Sequence, residues 1–545
     1  MKKIFYVLTA VLAALAFVSC EDFLTKTPQT ALSPSSFFKT ESDLELWTNK
    51  FYSDLLEDTG IAETYCDDMM GTSLNTLQKG TRTPSSKSWS TPSVNSSGYI
   101  SSNGTFTPLM NINYFLEHSS NCADEAVREK YNGVAYFFRA YFYFKMVRQY
   151  GDMPWYDYVI GSSDTESLNK PRDPRGYVMM KVLEDCDKAY ERLPEAWGSG
   201  PLFHVSKNAA MALKSRAALF EGTFRKYHKI TQYENDADYY LELCAEASHE
   251  FITSSGYTIA KDASDPDMNY RKLFSTMNAT NKEVILARDY NAALSLVHNV
   301  GGAFNTATNG RYGMTRKVVA AYLMKDGSRF TDKEGWETMS FMDETKDRDP
   351  RLAQSIITPT YIRDEETATS AQNMANTTTG YAPIKYLTTA AYNAYNKSEI
   401  DLIIFRAAEV YLNYAEAKAE LPEGTLTQDD LDISVNKLRD RVGMPGMNLM
   451  EANQNPDPYL MAEDTGYPNV TGPNKGIILE IRRERSVEFF MENFRYYDLI
   501  RWRNGQAFTH PYLGIYIPEL GIYDLNGDGT QDVCFFPKGN EPKDL

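Results

Sequence analysis

The chain has 545 residues, with 56 Lys and Arg against 73 Asp and Glu, and a formal charge of −17 at pH 7. At 42% hydrophobic and 24% charged, it has the balance of a folded protein, long enough for one large domain or several ordinary ones. So acidic a surface repels phosphate backbones and anionic headgroups, which excludes nucleic acid as a partner and leaves a membrane reachable only through an added anchor.

The N-terminus supplies a candidate anchor. Lys2 and Lys3 precede an apolar run over 4–18, too short for an ordinary membrane span and typical of an export signal, residues 1–19. Cys20 follows at once, which reads as the lipidated first residue of a bacterial lipoprotein; an ordinary signal peptide with an incidental Cys is the plainer alternative. Cleavage there removes two lysines and no acid, taking the charge from −17 to −19. Residues 20–40 are rich in Ser, Thr and Pro and read as a tether; 41–545 reads as the body. The remaining Cys66, Cys122, Cys186, Cys244 and Cys534 are odd in number and lack CxxC spacing, so they are expected as scattered thiols.

A helix over 43–57 carries Leu44, Trp47, Phe51 and Leu55 on one face. Residues 69–116 then contain no Asp or Glu and are dominated by Ser, Thr, Asn and Gly, with Arg82, Trp89, Tyr99 and Phe106 interspersed. Gly, Pro and Ser density argues against long helices there. A loop of that length within a folded body is more often functional than idle. A helix over 123–149 is apolar nearly all round and should be buried. Asp173 with Pro174, Ser206 and Asp236 open three more helices.

Glu283 to Asp289 (EVILARD) reads as a short strand. Residues 290–325 again lack acids and hold Tyr290, Asn291, Asn305, Asn309 and Tyr312. A third acid-free run, 367–398, holds Tyr381, Tyr386, Tyr392 and Tyr395. A helix is expected over 402–420, and another from Thr427, boxed by Asp430, to Gly443 and Pro445. Amphipathic helices in succession, with small Ala positions, suggest tetratricopeptide-like pairs. The fold expected is mainly α, a helical scaffold with a large irregular region and short strands.

The stretch 476–505 reads as a helix, a break at Asn493 and a shorter helix. Glu480, Glu484 and Glu488 form an acidic ladder among Arg482, Arg483 and Arg485, with Arg495, Asp498 and Arg501 beyond. Glu484, Glu488 and Asp498 could be general acids or bases, but so much charge among large apolar groups points instead to ion pairs packed out of water. Near the C-terminus, Asp524, Asn526, Asp528, Thr530 and Asp532, with Gly529 at the turn, follow calcium-loop spacing, except that Phe535 stands at the twelfth position. Asn-Gly and Asp-Gly there are equally good hairpin signals, so a structural calcium and a metal-free hairpin both stay open.

The acid-free runs mix aromatic faces, which stack on sugar rings, with Asn, Ser, Thr and Arg groups that bond hydroxyls. A neutral glycan suits them; a peptide would use similar groups, and plain solvated loops are the blandest reading. A glycoside hydrolase needs two carboxylates roughly 5–10 Å apart in one cleft, and no such pair is nominated.

The stretch at 476–505 also resembles the C-terminal signature of the SusD/RagB family, carried by Ile481, Glu484, Arg485, Glu488, Glu492, Arg495, Tyr497, Asp498, Leu499, Arg501 and Trp502, with Asn493 where that family usually has Gly. RAYFYFKMVRQYGDMPW, GRYGMTRKVVAAYLMKDG, DRDPRL, YAPIKY, IIFRAAEVYLNYAEA and NKLRDRVGMP are similar to the family's other segments, in order along nearly the whole mature chain. The resemblance implies a SusD-like fold, with an N-terminal region over 41–280 and a C-terminal one over 281–545. It implies an outward-facing outer-membrane lipoprotein without catalytic residues or a cofactor. Such a protein binds oligosaccharide and delivers it to a SusC-like TonB-dependent transporter; RagB-like relatives take peptides. Family sites fall in segments corresponding to 69–108 and 290–313. Arg82, Trp89, Tyr99, Tyr290, Asn291 and Tyr312 are the expected ligand-binding residues.

Overall fold

Where apolar residues recur three and four apart, the chain forms helices that bury that face. In a computed structural model, the described residues are 37–56, 66–81, 93–94, 100–101, 106–161, 163–198, 202–231, 235–279, 281–304, 306–537 and 539–540. The first helix, Glu41–Leu55, opens with a capping box between Thr40 and Asp43 and buries Leu44, Phe51 and Leu55. Trp47 packs half-buried against the same core, and its indole N–H donates to the Asn111 carbonyl. The long helix Glu125–Tyr150, capped by Asp124, buries Phe137, Phe138, Phe142 and Tyr143.

From there the helices pack in succession. Glu125–Tyr150 lies on Arg175–Arg192, which lies on Lys207–His228, then Ala237–Ser254, then Ala407–Glu420. Ser206 and Asp236 cap their helices as the sequence indicates. A Cβ on Gly222 would come 2.8 Å from the Leu241 side chain, so the absence of one sets how closely Lys207–His228 and Ala237–Ser254 approach. The architecture is mainly helical, as expected.

Several boundaries differ from the sequence reading. Asp173 does not cap its helix: its carboxylate accepts from the Trp155 N–H, and Asp152 accepts from Arg175 at the helix start. Residues 402–406 are not helical. Leu402–Arg406 is a strand antiparallel to Val284–Arg288, and the helix begins at Ala407. LIIF, before Arg406, is a continuous apolar run, which periodicity alone cannot divide between strand and helix. Within the first acid-free run, Thr107–His118 is a 12-residue helix, because Leu109, Ile112 and Phe115 restore a helical stripe once the Ser-rich segment ends. The helix from Thr427 breaks at Ser434 into Gln428–Ile433 and Val435–Arg441.

A second core lies beneath the irregular segments. Met69, Tyr270, Phe274, Phe304, Met314 and Tyr381 meet there. Two tyrosines of the third acid-free run belong to it: Tyr381 donates to Glu344 at 2.8 Å and Tyr386 to the Met491 carbonyl at 3.1 Å. The five described cysteines form no disulfide, and four are buried. Among the described residues no helix is long and apolar enough to cross a membrane.

Candidate functional site

The acidic ladder is consumed by structure. Its helix spans Lys475–Glu488, and the chain turns through Met491 and Asn493, both at positive φ, into Arg495–Arg501. The first helix therefore stops before Asn493, which nonetheless takes the left-handed conformation expected of it. Glu488 is fully buried and accepts from Arg351 at 3.0 Å, Arg406 at 2.7 Å and Arg441 at 2.7 Å. Burial would raise its pKa, but these three guanidiniums outweigh burial and hold the carboxyl well below the usual range. Glu484 is shared between Arg351 and Arg439. Asp498 is bound by Arg485 and Arg501, and Arg501 also holds Glu416. Charges fixed this way are unavailable for proton transfer to a substrate. The partners come from the motifs DRDPRL, IIFRAAEVYLNYAEA and NKLRDRVGMP, so segments far apart in the chain meet in one buried ionic network.

The three acid-free runs also meet. Met69–Met70 pairs antiparallel with Gly313–Met314, joining the first run to the second. The Thr72 N–H donates to the Gly310 carbonyl at 2.8 Å. The third run joins both: the Thr378 N–H donates to the Arg311 carbonyl at 2.8 Å, and its hydroxyl to the Met70 carbonyl at 3.2 Å. Further along, His298 and Ser398 exchange backbone hydrogen bonds at 3.0 and 3.3 Å, and the Asn396 N–H donates to the Asn299 side chain. The runs bring no carboxylate of their own to this seam, although Glu399 flanks it and accepts from the Ala292 N–H at 2.8 Å.

Tyr312 sits in this seam, half-buried. A Cβ on Gly71 or Gly310 would lie 2.9 or 2.3 Å from its ring, so two bare backbones clasp it, and Phe304 packs at 5.4 Å. Tyr290, also half-buried, sets its ring edge-on to His298 at 4.5 Å, and its N–H donates to Asp401 at 3.3 Å. Burial pushes the Asp401 carboxyl up to about 6. The residues between His298 and Phe304 thus run from one ring to the other. Asn291 is exposed, but its side-chain oxygen accepts from the Ala293 N–H and shapes the local turn.

Beside these lie side chains absent from the expected set: Tyr395 is 77% exposed, Leu294 65% and Leu296 50%. Tyr395 was visible in the third run; that 389–398 folds against 290–304 was not. Arg82, Trp89 and Tyr99 lie outside the described residues, as does Cys20.

At the C-terminus, Gly521–Tyr523 and Val533–Phe535 form the hairpin. The Asp524 carboxylate accepts from the N–H groups of Asn526, Gly527 and Gly529, Asp528 from Thr530, and Asp532 from Leu525. These carboxylates are turned onto the loop's own backbone. Among the described residues no three His, Cys, Asp or Glu are grouped to hold a metal.

Comparison with known proteins completes the picture. Residues 250–532 match a family described as the SusD family, and residues 22–219 one described as starch-binding and associating with the outer membrane. SusD-like protein P2 of Formosa agariphila is 26% identical over 535 residues, covering 94% of this chain and 93% of that protein. A SusD-like protein from Bacteroides fragilis aligns with a TM-score of 0.65 at 24% identity, over 88% of this chain and 90% of its own. A SusD-like carbohydrate-binding protein from the same species aligns at 0.64 and 21%, over 86% and 88%.

Proposed function

The chain belongs to the SusD family, and from that premise we propose that it is an outer-membrane glycan-binding protein that captures oligosaccharide on the acid-poor seam and passes it to a SusC-like TonB-dependent transporter. One observation carries the reading: three runs that lack acids, far apart in sequence, are hydrogen-bonded together. Neutral hydroxylated rings gain by stacking on Tyr290 and Tyr395 and by bonding the Tyr312 hydroxyl and nearby Asn and Thr groups. The protein acts by binding, not turnover, because Glu484, Glu488 and Asp498 are locked in ion pairs. Cys20 carries the lipid that holds it to the membrane.

Titration calorimetry with a panel of oligosaccharides tests this. Binding weakened about tenfold by Tyr290→Ala, with only a small fall in melting temperature, is the expected result; release of reducing sugar from any polysaccharide would refute it. Exposed Leu294 and Leu296 favour a second reading, capture of peptides through apolar side chains. A peptide library run beside the glycan panel separates the two. Pull-down on the protein should bring down the transporter.

A further inference from the structure

A second cleft, lined by none of Tyr290, Tyr312 and Tyr395, lies where 323–332 and 445–455 close over the signature helix. Its volume is about 640 Å³, within the range that holds a small ligand. Three guanidiniums line it. Arg483 bonds Asp457 and Glu480, Arg439 bonds Glu484 at 2.9 Å, and Arg329 donates to the Asn455 carbonyl. Arg439 and Arg483 are more than nine-tenths buried, yet each keeps an N–H without an acceptor, Arg439 at Nη2 and Arg483 at Nε. Burial, then the neighbouring Arg439 and Arg329, push Arg483 down to about 9. Glu480 shares the floor with them, bonding Arg483 at 3.1 Å and lying 3.8 Å from Arg439, yet Arg439 Nη2 and Arg483 Nε still lack a hydrogen-bond acceptor. The rim adds Asp326, Asp332 and Glu451, exposed acids that can accept hydroxyl hydrogens.

We propose that this cleft is a separate ligand site for a carboxylate-bearing sugar, a hexuronate unit, whose carboxylate meets Arg439 and Arg483 while its hydroxyls donate to Asp332 and Glu451. Sulfate or a fully ionised phosphate has no hydrogens to offer the rim and is repelled by it. A neutral sugar leaves the floor unanswered. No aromatic ring lines the cleft, so charge-assisted hydrogen bonds rather than stacking supply the affinity.

The test is calorimetric titration of the full mature protein with free galacturonate and glucuronate, set against glucose, acetate and sulfate. Uronate alone should bind appreciably. Arg439→Lys keeps a cation beside Glu484 but removes the forked donor, and should weaken uronate about tenfold. Asp332→Asn, on the exposed rim, preserves the fold and should weaken it about threefold while leaving the seam's ligands untouched. Equal binding of acetate or sulfate overturns the proposal, as does absence of uronate binding. So does uronate affinity that falls in Tyr290→Ala but holds in Arg439→Lys and Asp332→Asn, which would place the uronate on the seam. Loss of glycan binding at the seam with uronate binding retained would sink the proposed function and leave this site standing.

Discussion

Replacing Glu488 by Gln separates the roles that one helix gives to three similar carboxylates. Glu488 is fully buried and is the common acceptor for Arg351, Arg406 and Arg441. Gln keeps one acceptor oxygen, sets an amide NH2 against cations and leaves the guanidiniums with less compensating charge. Breaking one buried pair costs about 3–5 kcal/mol, so Glu488→Gln should cost at least about 4 kcal/mol. Glu480, two turns earlier, is the control. Burial raises its carboxyl to about 6, so near neutral pH its charge is held against a penalty of roughly 2 kcal/mol, and Glu480→Gln should change stability by less than about 1 kcal/mol. Urea unfolding at pH 7.5, followed by tryptophan fluorescence, reads both. At a slope of about 3 kcal/mol per molar, Glu488→Gln should lower the midpoint by more than about 1 M, and Glu480→Gln should scarcely move it. The depressed Glu488 pKa gives stability that is present above the unfolded value near 4.3 and is lost as pH falls through the folded value, so the variant and the parent should converge in acid. Equal shifts for the two variants would refute the reasoning.

Trp89→Ala should weaken ligand binding and leave the melting temperature nearly unchanged; a large loss of stability at constant affinity would make Trp89 a packing residue. Burial raises the Glu344 carboxyl to about 7, beside Tyr381 and Arg316. An acid raised on folding binds protons more tightly in the native state, so stability should fall as pH rises from about 4.3 to 7, on the order of 3 kcal/mol, and level off above. Glu344→Gln should flatten that slope in urea titrations; an unchanged slope refutes the assignment. Calcium should leave the melting temperature unchanged, since Asp524 and Asp532 are bound to loop N–H groups. A calcium-dependent rise abolished by Asp528→Asn would assign 524–532 to the metal.

What the sequence determined by itself is whatever depends on neighbours a few residues apart. Helix faces such as that of Glu41–Leu55, the caps at Ser206 and Asp236, the strand Val284–Arg288 and the C-terminal hairpin follow from local spacing and turn chemistry. The order of motifs gave the family. The ladder's density of charge even required buried partners. It could not say which, because the guanidiniums on Glu488 stand 137, 82 and 47 residues away. Tertiary structure alone decided that choice. It also decided that LIIFR extends against Val284–Arg288, that Tyr381 and Tyr386 are core, and that 290–304 and 389–398 share a face with Tyr395 exposed. Each of these turns on contacts whose chain separation no local pattern encodes, and a buried charge or an exposed ring takes its role from whatever the fold sets beside it.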